Sequence, residues 1–332
     1  MGENNAQAAR KCEGIWITGD GVAEVRPVAV GEVGPYDLLV ETKACGVCAW
    51  DAKLYHGVTA PGPFPYVIGH EGVGVVREVG PLVKGFTVGD KVFCSSGGNE
   101  MMVQWFVQNA SCAAKLPEDT EDWAAAVLEP TVCVVNLLEK SGIRPGDHVV
   151  VVGAGYMGLL TLQGLARGSW AGRITAFEVS PERLELARRL VPDAFDPDSP
   201  EGREAVRKIK EEGGADVVIE FAASESGFAL ANELIRKTGG NLVIGSWHRK
   251  EVTFDGTLWH MSGVNVLNLS PMSNRNYTEV IPRTGALYKR GIYTPGDYVT
   301  HTARYDDIAE VNRVLRISGT KEDGYIKGAV LF

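Results

Sequence analysis

The apolar and polar positions of the chain fall into two textures. In the first part, apolar runs are short and broken by turn residues. Ile15-Trp16-Ile17 is one run, and Asp37-Leu38-Leu39-Val40-Glu41-Thr42, entered through Gly34-Pro35, is another. Gly80-Pro81, Lys84-Gly85-Phe86 and Gly89-Asp90-Lys91-Val92 are turns, and Trp105-Phe106-Val107 resumes a strand. Short strands between glycine and proline turns predict a small β-barrel. Ser95-Ser96-Gly97-Gly98-Asn99 reads as a flexible loop. Between Trp123 and Ser141, the residues Trp123, Ala126, Val127, Val134, Leu137 and Leu138 follow helical spacing, with Glu129-Pro130 inside the segment.

At His148 the texture changes. His148-Val149-Val150-Val151-Val152 is a continuous apolar run, the pattern of a strand buried on both faces of a parallel sheet. It leads into Gly153-Ala154-Gly155-Tyr156-Met157-Gly158 and then a helical pattern through Leu159, Leu160, Leu162 and Leu165. The next strand, 173–179, carries the acid Glu178 near its end. Glycines in this order, between a strand and a helix and followed by an acid, form a dinucleotide fingerprint. They allow a tight turn and let backbone N–H groups reach a pyrophosphate. Strands at 216–220, 240–245 and 264–269 alternate with helices at 184–190, 202–212 and 226–237. This alternation predicts a doubly wound sheet. A helix is expected near 279–288, and the closing run Gly328-Ala329-Val330-Leu331-Phe332 reads as a strand that rejoins the first part.

Composition narrows the class. At roughly 150 residues per domain, 332 residues make two domains. A net charge of −9 argues against a nucleic-acid or anionic-membrane partner, which needs clustered Lys and Arg. No apolar run reaches the ~18 residues that span a bilayer. The polar start, Met1 to Lys11, lacks the apolar core of a secretory signal, and Ala6 stands where a myristoylation motif needs a hydroxyl. Six cysteines are sparse for this length, so reduced thiols and a cytoplasmic location are expected.

The candidate chemistry centres on Pro65-Tyr66-Val67-Ile68-Gly69-His70-Glu71-Gly72-Val73-Gly74-Val75-Val76. Ionisable groups in apolar surroundings are costly to bury unless something pairs with them. A metal ion answers that need; a polar turn between two strands is the plainer reading. Cys45 and Cys48 have C-x-x-C spacing, but no second pair completes a structural zinc site and no thioredoxin-type unit surrounds them. One ligand from this turn, joined to His70, is the better proposal, with Asp51 holding the imidazole from behind. Glu129 is either an exposed helix-start carboxylate or a further site residue.

Taken together, Gly-Val-Cys-x-x-Asp at 46–51, Gly-His-Glu-Gly at 69–72, Gly-Asp-Lys-Val at 89–92, Glu-Pro at 129–130 and the glycine loop at 153 resemble the zinc-dependent medium-chain alcohol dehydrogenases. The sorbitol, or polyol, branch is nearest, since Asn-Ala-x-Cys-x-x-Lys-Leu-Pro also occurs at 109–117. The resemblance implies an α/β chain: a GroES-like β-barrel catalytic domain at 1–146 and 273–332, split around a Rossmann domain at 147–272, with the active site in the cleft. It implies Cys48 and His70 as zinc ligands and Cys45 as packing. Glu71 is a direct ligand in the polyol branch, and Glu129, which contacts the metal-bound water there, is the other candidate for the third zinc ligand; Asp51 orients the histidine. Cofactor residues would be Gly153, Gly155, Tyr156, Met157, Gly158, Glu178, Arg183 and Gly245. Glu178 would bind the adenosine ribose and favour NAD over NADP, while nearby Arg183 tempers that preference or stacks on adenine.

Two departures stand out. Residues 93–112 hold only Cys94 and Cys112, so the four-cysteine structural zinc of many relatives is not expected. Trp50 occupies the proton-relay serine or threonine position, which leaves Glu129, Lys53 or His56 to carry the proton. Trp50 and Trp105 would wall the substrate pocket or pack in the core. The implied activity is hydride transfer between NAD and a secondary alcohol such as a polyol, cyclitol or sugar, in a homodimer or homotetramer. A zinc-free quinone or enoyl reductase, or a non-catalytic dinucleotide-binding protein, is the alternative.

Overall fold

The structure, a computed structural model, describes residues 11–59, 62–95, 100–248 and 251–332. The start of the chain before Lys11 and most of the loop expected at 95–99 lie outside the described residues. Strands β1 (Lys11–Gly19), β2 (Val22–Ala29) and β3 (Asp37–Val47) are followed by helix α1 (Ala49–Tyr55). Then come β4 (Tyr66–Val67), β5 (Gly72–Val79), β6 (Lys91–Cys94), β7 (Trp105–Asn109) and β8 (Ala113–Lys115). Next are α2 (Glu129–Lys140), β9 (His148–Val152), α3 (Tyr156–Gly168), β10 (Arg173–Phe177), α4 (Pro181–Leu190), β11 (Ala194–Phe195) and α5 (Pro200–Glu211). The chain continues through β12 (Val217–Glu220), α6 (Glu225–Leu234), β13 (Asn241–Ile244), α7 (Gly256–Ser262) and β14 (Asn265–Asn268). It ends with α8 (Val280–Lys289), β15 (Val299–Arg304), α9 (Ile308–Thr320) and β16 (Lys327–Leu331).

The chain forms two compact units, Met1–Glu129 with Ile281–Lys289 and Pro295–Phe332, and Pro130–Val280 with Arg290–Thr294. In the first unit β2-β1-β4 form one sheet, and β15-β16-β3-β5-β6-β8 form a second, with β7 also paired to β3. Ile15, Ile17, Leu38, Val40, Val76, Met102, Phe106, Val314, Ile317 and Val330 fill one core between them. The closing strand does rejoin this unit: β16 lies antiparallel to β3, with Gly328 opposite Val47.

The second unit is a parallel sheet ordered β11-β10-β9-β12-β13-β14. Counting from β9 as the unit's first strand, this is the order of dinucleotide-binding sheets, with the strand order reversing between β9 and β12. Val149, Val150, Val151 and Val152 are all buried, as expected for a strand covered on both faces. Helices α4 and α5 start alike. Ser180 and Ser199 cap them, each side chain accepting a backbone N–H three residues on, and proline follows at the first helical position.

The helix expected from Trp123 is shorter than the spacing suggests. Residues 123–126 form turns and α2 begins at Glu129. A helix running on through Pro130 would drive its ring into the carbonyl of residue 126 and leave a hydrogen bond unmade. The turn expected at Cys48 is, conversely, the start of helix α1.

Candidate functional site

Strand register brings the distant motifs of the first unit together. Cys45 of β3 stands opposite Gly72 of β5. Moving three residues onward from Cys45 and two residues back from Gly72 reaches Cys48 and His70 at the same end of the antiparallel pair. The Cys48 thiol, a His70 ring nitrogen and a Glu71 carboxylate oxygen all lie within 4.8 Å of one another. Gly69 makes the approach possible: its φ is +95°, and a Cβ there would meet Cys45 Sγ at 2.9 Å.

Asp51 ties the two ligand-bearing segments together. Fully buried, it accepts the Cys48 N–H at 2.8 Å on Oδ2 and the Gly69 N–H at 3.2 Å on Oδ1. Its grip is therefore on the backbone beside both ligands, and its charge reaches His70 through space. Burial pushes the Asp51 carboxyl up, against the pull of His70 and the Cys48 N–H. For His70, burial works downward, but the hydrogen bond with Cys48 and the charges of Asp51, Cys48 and Glu129 push it up to about 11. Groups that favour the charged imidazole in this way would equally favour a cation among them.

Glu71 shows what such a cation would satisfy. The residue is 1% exposed. Its Oε2 pairs with Lys327 Nζ, which also donates to the Val47 carbonyl at 3.0 Å. Its Oε1 is buried and has no hydrogen-bond partner. An orphaned carboxylate oxygen inside a protein is costly, and here it stands beside a thiol and an imidazole. Thiolate, imidazole and carboxylate are the donor set that suits zinc. The residues present therefore fit the metal.

Other expected site residues are placed as follows. Glu129, 8% exposed, opens α2; its charge acts on His70, but it is outside the set of three mutually close donors. Cys45 is fully buried and lies outside the set of three mutually close donors; burial pushes its thiol well up. Trp50 is exposed on α1. Trp105 packs against the barrel core, beside a depression that it shares with Val30, Leu39, Arg77 and Glu78. Lys53 is buried. The His56 ring meets the Arg316 carbonyl of α9 at 3.2 Å.

Lys327 escaped the sequence reading. The only signal was a lone cation just before an apolar closing strand. What makes it a site residue is the pairing of β16 with β3, which sets it against Glu71, 256 positions away.

In the second unit the glycine loop has the expected geometry. Gly153 adopts φ +95°, and a Cβ on Gly158 would fall 2.0 Å from the Gly153 carbonyl oxygen, so a side chain there would push α3 off β9. Gly155 caps α3, followed by Tyr156 and Met157 in its first turn. Glu178 accepts the Ala154 N–H at 2.6 Å and the Ser180 N–H at 2.9 Å. Arg183 donates to the same carboxylate at 2.7 Å, so the pair that was expected to act separately is joined. Gly245 follows β13 with its N–H on the Glu220 carbonyl.

Comparison with known proteins agrees with this architecture. The model of the alcohol dehydrogenase GroES-like domain matches residues 34–119, and that of the zinc-binding dehydrogenases matches 157–284. D-xylulose reductase A of Aspergillus niger is 30% identical over 257 residues, 66% of this chain and 71% of that one. A sorbitol dehydrogenase of Halalkalibacterium halodurans is 29% identical over 250 residues, covering 67% and 73% of the two chains. The crystal structure of an Escherichia coli oxidoreductase of unknown specificity aligns with a TM-score of 0.84 at 21% identity, over 97% of this chain and 99% of that one. Among the described residues no helix is long and apolar enough to cross a membrane.

Proposed function

Because the chain belongs to the zinc-dependent medium-chain alcohol dehydrogenase family, we propose that it oxidises a secondary alcohol group of a polyol, cyclitol or sugar and passes the hydride to NAD. The observation that carries the reading is the buried Cys48, His70 and Glu71 cluster with an unpartnered Glu71 oxygen. Polyol chemistry is favoured by the names of the relatives, a D-xylulose reductase and a sorbitol dehydrogenase.

Cys48, His70 and Glu71 would hold one zinc per chain, and Glu129 adds negative charge beside them. When bound, zinc supplies a Lewis acid for the substrate oxygen, and NAD supplies the hydride acceptor. Asp51 fixes the backbone on both sides of the ligands, so that thiol and imidazole stay aimed at one point. Lys327 holds one Glu71 oxygen and leaves the other for the metal. Trp50 has no hydroxyl to take the alcohol proton, so Glu129 is the residue assigned that task, and Trp50 flanks the substrate.

NAD is favoured over NADP because Glu178, just after β10, carries a carboxylate that would repel a 2′-phosphate. Arg183 does not offset this, since its guanidinium is engaged by that same carboxylate. The test is a panel of polyols, cyclitols, sugars and simple secondary alcohols, followed by NADH or NADPH absorbance, with zinc measured on the same protein. NAD reduction with at least one panel member and one zinc per chain are expected. Purified protein that takes up no zinc and reduces neither cofactor would overturn the reading. A zinc-free protein that reduced quinones or enones would identify the rival member of this fold.

A further inference from the structure

A second buried carboxylate in the dinucleotide unit is not explained by the hydride chemistry above. Glu220, the last residue of β12, is fully buried. Its Oε1 accepts the Ala223 N–H at 2.7 Å. Its Oε2 accepts the Ser246 hydroxyl and meets His248 Nε2 at 2.8 Å. The His248 ring stands edge-on to Phe228, centroids 5.7 Å apart at 82°, so its plane is held as well as its nitrogen. Its side chain is 14% exposed, leaving an edge of the ring open. Among the described residues Nδ1 has no hydrogen-bond partner. With Nε2 committed to the carboxylate, Nδ1 is the ring nitrogen left to hydrogen-bond a ligand.

The position of this cluster suggests its ligand. In a doubly wound sheet a dinucleotide crosses the point where strand order reverses, and each half of the sheet takes one nucleoside. Here the reversal lies between β9 and β12. The loops leaving those strands touch: a Cβ on Gly153 would lie 2.7 Å from the Ala222 nitrogen. Glu178 belongs to the half built on β9, β10 and β11. Glu220, Ser246 and His248 stand at the matching edge of the half built on β12, β13 and β14. Gly245 keeps the two loops of that edge in contact, since a Cβ on it would meet the Phe221 ring at 2.5 Å.

We propose that His248, braced by Glu220, is a cofactor-binding residue whose Nδ1 hydrogen-bonds a hydroxyl of the nicotinamide-side ribose. This rests on the reading of the unit as a dinucleotide site. A ribose hydroxyl, which can both donate and accept, suits this nitrogen. Glu220 serves as a positioning residue that fixes the ring and its tautomer.

The test measures dissociation constants of NADH, ADP-ribose and ADP, by calorimetry, for the wild-type protein and the His248→Ala and His248→Asn variants. ADP lacks the second ribose and reports on the rest of the site. For His248→Ala, affinity for NADH and ADP-ribose should fall about threefold to tenfold, the net worth of one hydrogen bond, with ADP unchanged. His248→Asn, which keeps an acceptor, should recover part of the loss. Three results would overturn the proposal: no change for any ligand, an equal loss for ADP, or a loss confined to NADH. A wild-type protein that binds none of the three ligands would refute the dinucleotide site itself, a separate outcome.

Discussion

Replacing Lys327 by methionine tests the buried charge network directly. The Lys327 side chain is 5% exposed and its partner Glu71 is 1% exposed, so solvent does little to screen either. Methionine keeps most of the volume of the stem and removes the ammonium. Glu71 would then be a buried carboxylate with neither of its oxygens paired. Removing one partner of a buried pair costs about 3–5 kcal/mol when the remaining charge is uncompensated, and the His70 cation beside Glu71 brings the expected loss to the lower end of that range. For a unit of this size that corresponds to a drop of about 10 °C in the melting temperature. The measurement is thermal and denaturant unfolding of protein stripped of metal by a chelator. Adding Glu71→Gln to Lys327→Met should return more than half of the lost stability, since a neutral amide carries no charge to strand. With zinc restored, the penalty should shrink, because the cation takes over the neutralising role. A loss under about 1 kcal/mol in the stripped protein, or a double variant no more stable than Lys327→Met, would refute the idea that Lys327 balances a buried Glu71 charge.

Cys48→Ala should abolish zinc retention and activity, whereas Cys45→Ala should keep the metal and lose only packing stability; equal metal content in the two would reverse their assignments. Gly46→Ala would set a methyl group 1.9 Å from Glu71 Oε2 and 2.7 Å from Val127 Cγ1, displacing the carboxylate and weakening zinc at least about tenfold in a chelator competition. Glu129→Gln should shift the pH–rate profile of alcohol oxidation, and an unchanged profile would remove Glu129 from proton transfer. His148 provides the pH prediction: burial first, then the Arg173 cation, lower it to about 4 from 6.5. Below pH 6.5 the unfolded chain takes up a proton that the folded chain refuses, so stability contributed by neutral His148 is progressively lost as pH falls toward 4. After allowance for its partial exposure the effect is about 1–2 kcal/mol, and His148→Asn should be less acid-sensitive than wild type by that amount in denaturant midpoints at pH 7 and pH 5.

Much of the second unit was legible because its signals are local. A run of valines has to be covered on both sides, and glycines at 153, 155 and 158 are demanded by backbone geometry within one turn. Ser-Pro at 180 and 199 starts helices by equally local rules, yet apolar spacing alone places those starts later, at 184 and 202. The 46–51 and 69–72 motifs were visible for the same reason, but the choice of Cys48 over Cys45 and of Glu71 as a ligand came from the family resemblance. The helix starts only at Glu129 because Pro130 interrupts an apolar spacing that continues on both sides of it. Helix α9 carries its apolar stripe openly at Val311, Val314 and Leu315, but it was not singled out. Its purpose is clear only where Asn312 exchanges hydrogen bonds with the backbone of Ala23 in β2.

What the amino-acid order determined alone was which segments could bend, cap, bind phosphate or offer a thiol and an imidazole. Tertiary structure decided which charges would be buried and by what they would be matched. Lys327 meets Glu71 only because β16 lies beside β3, and His248 meets Glu220 only because β13 lies beside β12. Steric and periodic preferences act over a few residues. The electrostatic cost of burying a charge depends on every neighbour brought to it by the fold, however distant along the chain.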